Sequence, residues 1–219
     1  MRDIHCHILP GVDDGASTLE DSLAMIRAAK AVGITSITCT PHCRDPYFDF
    51  EAMWNAFYEL EEAAEGFPLT MGFEVNYQKL MELGLDWAEA LHTDGSQDLL
   101  LELSVGASPS GFGDYERTIF ELQGMGYQVI IAHPERYIAI QRDMTLAEDL
   151  VRMGCELQAS TDFIAGGRLG AEKRPAKRML KAGLYSYLAS DAHVPKHYRY
   201  FRKAHKRYGH LLRRRRTSA

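Results

Sequence analysis

The chain has 219 residues, of which 46% are hydrophobic and 25% are charged, and a net charge of −5. This composition is that of an ordinary globular protein, and the length fits one large domain with a substantial core. No apolar run approaches the roughly 20 residues of a membrane span, and a charged strand stands where a signal peptide would begin. We therefore expect a cytoplasmic protein without membrane insertion.

The four cysteines form no Cys-x-x-Cys pair; they are Cys6, Cys39, Cys43 and Cys155. Four cysteines without a paired spacing predict buried, reduced thiols in a reducing compartment. A thiolate phosphatase would need an arginine six positions after its cysteine. Those positions hold Val12, Asp45, Asp49 and Thr161, so the sequence excludes that class of enzyme.

Strand and helix patterns alternate along the chain. The predicted strands cover 3–7, 34–40, 69–75, 98–103, 128–132, 156–159 and 185–189. A capping box at Ser17-Thr18-Leu19-Glu20 opens a first helix that Gly33 ends, and further helices are predicted over 51–65, 81–91, 115–125, 145–153 and 173–182. The Gly/Ser segment 106–113 is predicted to be a lid or rim loop. About seven such repeats indicate a parallel sheet, as readily a barrel as an open sheet.

The first strand, Asp3-Ile4-His5-Cys6-His7, carries two histidines separated by one residue. Alternate side chains of a strand share a face, so His5 and His7 are predicted to point the same way. Asp3 lies on that face as well. It is a candidate to orient a metal ligand by hydrogen bonding to it without binding the metal itself. This pattern supplies two of the ligands that a metal site needs.

The ends of later strands carry further histidines and carboxylates: His42, Glu74, Glu102, His133, Asp191 and His193. The C-terminal edge of a parallel sheet is where sites are built, because the loops converge there. Histidine and carboxylate without thiolate suit Mn, Fe or Zn. So many ligands exceed the needs of one ion, and two or three clustered ions are typical of phosphoester hydrolysis.

These motifs resemble the polymerase-and-histidinol-phosphatase (PHP) superfamily, over residues 3 to about 193. Its bacterial manganese-dependent tyrosine phosphatases of the capsule and exopolysaccharide (CpsB/YwqE-like) branch are similar in two segments, His7-Ile8-Leu9-Pro10-Gly11-Val12-Asp13-Asp14-Gly15 and His133-Pro134-Glu135-Arg136-Tyr137. The other matching motifs are Pro41-His42, Gly72-Phe73-Glu74, the Glu102 strand and Ser190-Asp191-Ala192-His193.

The resemblance implies a distorted seven-stranded (β/α)7 barrel in a single domain over 1–219, and a cluster of two or three metal ions, with Mn preferred and Fe or Zn as alternatives. It implies Asp14 as an acid close to the metals and Arg136 as a phosphate-gripping arginine. The residues that match its metal ligands are His5, His7, His42, Glu74, Glu102, His133, Asp191 and His193.

The C-terminal part departs from the family pattern. The family places an arginine five residues after the last histidine ligand, whereas this chain has Tyr198 there and Arg199 next. Arg199 is therefore the candidate for the second phosphate-binding arginine. The chain also ends early, in a basic tail over about 199–219 that has nine Lys or Arg and no acid. This difference leaves open any oligomer that depends on the C-terminus.

The implied function is dephosphorylation of a phosphotyrosine protein, the tail of a bacterial tyrosine autokinase, with His42 or Asp14 able to donate a proton. Two alternatives stay open. The first is a phosphatase of a small phosphomonoester such as histidinol phosphate. The second is a module that binds nucleic acid through the basic tail, which the acidic body disfavours and which would not explain the converging ligands.

Overall fold

The computed structural model describes residues 1–107, 111–164 and 171–213. Within these ranges the chain alternates short parallel strands with helices, as the sequence predicts. The strands are β1 (Arg2–Cys6), β2 (Ser36–Cys39), β3 (His42–Cys43), β4 (Leu69–Met71), β5 (Glu74–Asn76), β6 (Asp98–Glu102), β7 (Gln128–Ala132), β8 (Glu156–Ser160) and β9 (Tyr187–Ala189).

The strands form two parallel sheets, in the orders β1-β2-β4 and β3-β5-β6-β7-β8-β9. The predicted strand over 34–40 contains β2, and β3 follows beyond it across a bend at residues 40–41. The predicted strand over 69–75 is broken in the middle, so β4 continues into β5 across a second bend. At the first bend Pro41 lacks the N–H that a ladder needs. The bends connect the three-stranded sheet to the six-stranded sheet, so that the two together form one curled layer of parallel strands.

The helices pack on the outside of this curled sheet. They are α1 (Leu19–Ala31), α2 (Phe50–Ala63), α3 (Tyr77–Leu83), α4 (Ala88–Leu91), α5 (Phe112–Gly124), α6 (Ile138–Arg142), α7 (Thr145–Arg152), α8 (Lys173–Lys181) and α9 (Tyr198–Tyr208). α1 buries Met25, Ile26 and Ala29 at helical spacing. The strand β6 is buried along its whole length, as expected for a sheet that is covered by helices.

Two helix predictions need correction. The capping box of α1 is formed by Thr18 and Asp21, one residue later than Ser17 and Glu20, and both of its reciprocal hydrogen bonds are present. The predicted helix over 81–91 is interrupted at Gly84, whose φ of 93° lies outside the helical region. The 106–113 segment is described only in part, because residues 108–110 lie outside the described ranges.

The first and last strands approach each other at the edge where the strands end. The Asp191 amide donates to the His5 carbonyl at 2.9 Å, and the His7 amide donates to the Ala192 carbonyl at 3.0 Å. Asp3 is fully buried and accepts a hydrogen bond from the Ser190 amide at 2.8 Å. It therefore positions the segment that carries Asp191 rather than a histidine ring.

The basic C-terminal segment begins as a helix that packs on the body. α9 buries Tyr198, Phe201 and Ala204 and leaves its lysines and arginines on the other face. This amphipathic pattern is the one expected of a helix at the surface of a globular protein. In the described part of the chain, no helix has the length and apolar character needed to cross a membrane.

Candidate metal centre

His5 and His7 point into the same space at the end of β1, as the alternation of a strand requires. Their Nε2 atoms lie 3.1 Å apart, and both side chains are fully buried. The other ring nitrogen of each is held: His5 Nδ1 lies 2.9 Å from Gln158 Oε1, and His7 Nδ1 lies 2.8 Å from Asp13 Oδ2. These contacts leave both Nε2 atoms to face the centre.

Glu74 lies at the middle of this group and presents both carboxylate oxygens. Its Oε1 is 2.6 Å from His133 Nε2 and 3.5 Å from His5 Nε2. Its Oε2 is 2.7 Å from His42 Nδ1 and 3.4 Å from His7 Nε2. Burial alone would raise the pKa of Glu74, but the imidazoles of His5, His133 and His42 outweigh it and hold that pKa well below its usual value.

His42 and His193 extend the cluster toward the rim. His42 stands beside Glu74 because β3 and β5 pair with these two residues in register. Asp14 Oδ1 lies 3.3 Å from His42 Nε2 and 3.4 Å from His193 Nε2, so it connects the two rings. The Asp14 side chain is 42% exposed, whereas that of Glu74 is buried. Asp14 is therefore the acid at the mouth of the site.

His133 and Asp191 reach the cluster from residues with left-handed backbones. Their φ angles are 30° and 49°, values that side chains with a Cβ adopt rarely. Asp191 Oδ1 lies 3.6 Å from His5 Nε2 and 3.4 Å from His7 Nε2. Glu102 is more distant, with Oε1 3.9 Å from His133 Nε2. Uncommon backbone geometry of this kind concentrates at functional sites.

The donor atoms fall into three overlapping groups, and within each group they all lie within 4.8 Å of one another. His42 Nδ1 and Glu74 Oε2 are buried and form a close contact of 2.7 Å, yet within the described residues neither atom has a partner in hydrogen-bond geometry. Ligand atoms that converge in this way suit a shared cation, so the residues fit a metal cluster. The groups are His7, Asp14, His42 and His193; His5, His7 and Glu74; and His42, Glu74 and Glu102.

The loop after β1 is pressed against His7. A Cβ at Gly15 would lie 2.0 Å from the His7 carbonyl oxygen, so only glycine fits there. The close approach lets the Ala16 amide donate to that carbonyl at 3.1 Å. It also brings Asp13 to the Nδ1 atom of His7. Burial alone would raise the pKa of Asp13, but the hydrogen bond to His7 and the charges nearby outweigh it and lower that pKa to about 2.

Arg136 lies on the β9 side of the cluster. It forms an ion pair with Asp191 Oδ2, and its Nη2 is 3.2 Å from Asp162 Oδ2 and 3.4 Å from Ser160 Oγ. Its neighbour Glu135 does not pair with it and instead accepts hydrogen bonds from the Ser160 amide and the Tyr185 hydroxyl. The guanidinium is thus held against a residue of the predicted metal site.

Arg199 is the one predicted site residue that the structure leaves outside the cluster. It is exposed on α9, and its Nη2 lies 2.6 Å from the hydroxyl of Tyr200, with the guanidinium over that ring. Arg44, which the sequence prediction omitted, lies at the cluster instead, with Nη2 2.9 Å from His42 Nε2. Asp13 and Gln158 were also omitted, although each fixes a histidine that the sequence singled out.

Comparison with known proteins places these features in a family. The family model described as capsular polysaccharide synthesis, CpsB/CapC, matches residues 1–210. The tyrosine-protein phosphatase YwqE of Bacillus subtilis is 34% identical over 199 residues, covering 88% of this chain and 77% of the relative. The tyrosine-protein phosphatase CpsB of Streptococcus agalactiae is 28% identical over 204 residues, covering 88% and 83%.

Solved structures agree with this assignment. One, described as that of YwqE from Bacillus subtilis and CpsB from Streptococcus pneumoniae, unique metal-dependent tyrosine phosphatases, superimposes with a TM-score of 0.79 at 30% identity over 96% of this chain and 89% of the other. An organophosphorus hydrolase from Deinococcus radiodurans shares the fold alone, with a TM-score of 0.52 at 14% identity over 88% and 75%. On the match over residues 1–210, the chain belongs to the CpsB/CapC capsular polysaccharide synthesis family.

Proposed function

We propose that this protein is a metal-dependent protein-tyrosine phosphatase that acts in capsule or exopolysaccharide control. The observation that carries the proposal is the convergence of buried histidine and carboxylate donors at one sheet edge, in a chain whose relatives are named tyrosine-protein phosphatases. The same chemistry would serve a small phosphomonoester such as histidinol phosphate. The names of the relatives favour a phosphotyrosine protein, and we propose the tail of a tyrosine autokinase in the cytoplasm.

The fold that we propose is a distorted seven-stranded barrel in one domain over 1–219. Counting β2 with β3 and β4 with β5 reduces the strands to seven. The hydrogen bonds between β1 and the segment after β9 support closure, since they join the first strand to the last. The basic segment from 199 onward would then be a surface feature of the same domain. We do not propose that it binds nucleic acid.

We propose that two or three Mn ions bind here, with Fe or Zn as alternatives, because the donors are imidazole and carboxylate without thiolate. When bound, such ions lower the pKa of a coordinated water and neutralise phosphoryl charge. Glu74 would be the central ligand, since each of its oxygens faces a different pair of histidines. The proposed ligands are His5, His7, His42, Glu74, Glu102, His133, Asp191 and His193, with Asp14 at the rim.

The charged side chains around the ligands supply the remaining parts of the reaction. Arg136 would grip the phosphoryl oxygens, because a planar guanidinium meets two oxygens at once. A departing tyrosine oxygen has a pKa of about 10, so it needs little acid assistance. Asp14 is better placed than His42 to hold that proton, since it is partly exposed and His42 is a buried ligand. Arg199 has no part in this proposal, because its guanidinium rests on Tyr200.

A substrate comparison tests the proposed function. The metal-loaded protein is incubated with a phosphotyrosine peptide, the phosphoserine peptide of the same sequence, and histidinol phosphate. We expect the highest kcat/KM for the phosphotyrosine peptide. Preference for histidinol phosphate would instead assign the protein to small phosphomonoesters. An active-site variant prepared in parallel excludes a contaminating phosphatase.

We predict that hydrolysis does not depend on cysteine. All four thiols are buried and free, and burial raises the pKa of Cys43 and of Cys155 to about 12, so neither is a thiolate at neutral pH. Cys39→Ala, Cys43→Ala and Cys155→Ala should each keep turnover within about threefold. Cys6 is left out because its sulfur lies 2.9 Å from the Tyr198 hydroxyl, beside the ligand strand.

Rates on a phosphotyrosine peptide, measured together with metal content, check this prediction. Loss of turnover in any of the three variants at unchanged metal content would argue for a thiol nucleophile.

A further inference from the structure

Arg44 places a second guanidinium at the cluster. Its Nη2 lies 2.9 Å from His42 Nε2 and 3.8 Å from Asp14 Oδ2, and its Nη1 lies 4.0 Å from Glu102 Oε2. Arg136 contacts the cluster through Asp191 instead. The two guanidiniums therefore contact different ligands of one site.

The position of Arg44 is fixed by its loop. The Arg44 carbonyl accepts hydrogen bonds from the amides of Tyr47 and Phe48 at 2.9 and 3.0 Å, which closes a tight turn directly after β3. Asp45 binds Lys79 Nζ on α3 at 2.8 Å. A side chain that extends from an anchored turn loses little further freedom on binding a ligand.

The side chain of Arg44 remains accessible, with 35% of it exposed, so a ligand from solution can reach the guanidinium. Its shortest contact is with a ring nitrogen of His42 and not with a carboxylate oxygen, so among the described residues the guanidinium has no close anionic partner. The N–H donors of Arg44 are therefore available to an incoming anion.

Tyr47 stands next to the same ligand. Its ring is stacked on the His42 ring with centroids 5.9 Å apart and an interplanar angle of 21°, and the Arg44 guanidinium lies 5.8 Å from its centroid. Tyr47 as a whole is half-buried, so it is partly accessible from solution. Aromatic rings of this kind bind other aromatic groups by offset or edge contacts.

We propose that Arg44 is the second phosphoryl-binding arginine of this site and that Tyr47 receives the aryl ring of the substrate. The pair would recognise an aryl phosphate by its two ends, with Arg44 on the anion and Tyr47 on the ring. Arg44 acts together with Arg136, which contacts a different ligand of the cluster. This assignment rests on the proposed phosphatase function and specifies how the substrate class is selected.

Binding of inert phosphonates tests the assignment without relying on turnover. Methylphosphonate and phenylphosphonate are titrated into the metal-loaded protein by calorimetry, with metal content measured for every sample. Arg44→Gln keeps a donor and most of the volume but removes the charge, so we expect affinity for both phosphonates to fall about tenfold or more. Arg117→Gln, which alters an exposed arginine paired with Asp114 on α5, is the matched control and should bind as the parent does.

Tyr47→Ala separates the second half of the proposal. It should weaken phenylphosphonate several-fold and leave methylphosphonate unchanged, and Tyr47→Phe should restore the parent affinity. Equal affinities of Arg44→Gln and the parent at equal metal content would overturn the role of Arg44. Metal loss in both Arg44→Gln and Arg44→Lys would overturn it too, because Arg44 would then support the ions. An equal effect of Tyr47→Ala on both phosphonates would overturn the aryl contact.

Hydrolysis of a phosphotyrosine peptide by the parent protein is recorded separately. Its absence would count against the proposed function, whereas a phosphonate result that fails while hydrolysis persists counts only against Arg44 and Tyr47.

Discussion

Replacing Glu74 with glutamine should strip the protein of bound metal and lower turnover by more than about a hundredfold. Each Glu74 oxygen faces two histidine nitrogens, at 2.6 and 3.5 Å on one side and 2.7 and 3.4 Å on the other. Glutamine retains one acceptor and turns an NH₂ group toward the other pair, where it cannot coordinate a cation. The change thus removes the one carboxylate that lies at the centre of the cluster.

Metal content by elemental analysis and turnover of a phosphotyrosine peptide are measured on the same sample. Glu121→Gln, at an exposed position of α5, controls for the change of charge and should keep both values. Circular dichroism establishes that the variant is folded. A Glu74→Gln protein that retains its full complement of metal would show that the carboxylate is not a ligand.

The second large effect is expected at Arg136. Losing a charged clamp on a transferring phosphoryl group costs on the order of 3 kcal/mol, which is about a hundredfold in rate. Arg136→Ala should therefore reduce kcat by about that factor on a phosphotyrosine peptide. Arg136→Lys should recover only part of the loss, since an ammonium cannot meet two oxygens with a planar fork.

The ion pair between Arg136 and Asp191 makes metal content an essential second measurement, because the alanine variant leaves a proposed ligand without its partner. Arg142→Ala, which alters an exposed arginine of α6, serves as the control. Normal turnover and KM in Arg136→Ala would show that the arginine only neutralises Asp162 and Asp191.

Much of this site could be predicted because strand geometry is local. The alternation of β1 alone aligns His5 with His7, and the strand-end rule brings Glu74 and His133 from distant positions to the same edge. In the structure all four residues are buried; His5, His7 and Glu74 form one group of candidate ligands, and His133 Nε2 lies 2.6 Å from Glu74 Oε1. The pattern of strands and helices was also predicted, because continuous apolar runs and helical spacing are local features of the sequence.

The parts that could not be predicted depend on how loops and neighbours pack. Asp13 and Asp14 are adjacent in a turn, and only the close approach of Gly15 to His7 decides that Asp13 fixes the ring while Asp14 faces the rim. Gln158 lies in the middle of β8 and not at its end, where the strand-end rule looks for site residues. A buried glutamine among apolar residues was the one available signal for its contact with His5.

The breaks in the strands and helices were missed for a related reason. The break at Gly84 requires a positive φ that propensity does not reveal. Arg44 lies at the cluster because of the turn after β3, whereas Arg199 lies outside it because of the orientation of α9. A match to a family motif by sequence offset carries no information about the direction of either side chain.

The central claim is that bound metal and phosphotyrosine hydrolysis rise and fall together at this site. The direct measurement is elemental analysis of protein purified without chelator, followed by stepwise removal of metal and readdition of Mn²⁺, with turnover of a phosphotyrosine peptide recorded at each step. We predict two or three ions per chain, turnover that declines as they are removed, and recovery when Mn²⁺ returns. A preparation that is free of metal and fully active would contradict the account.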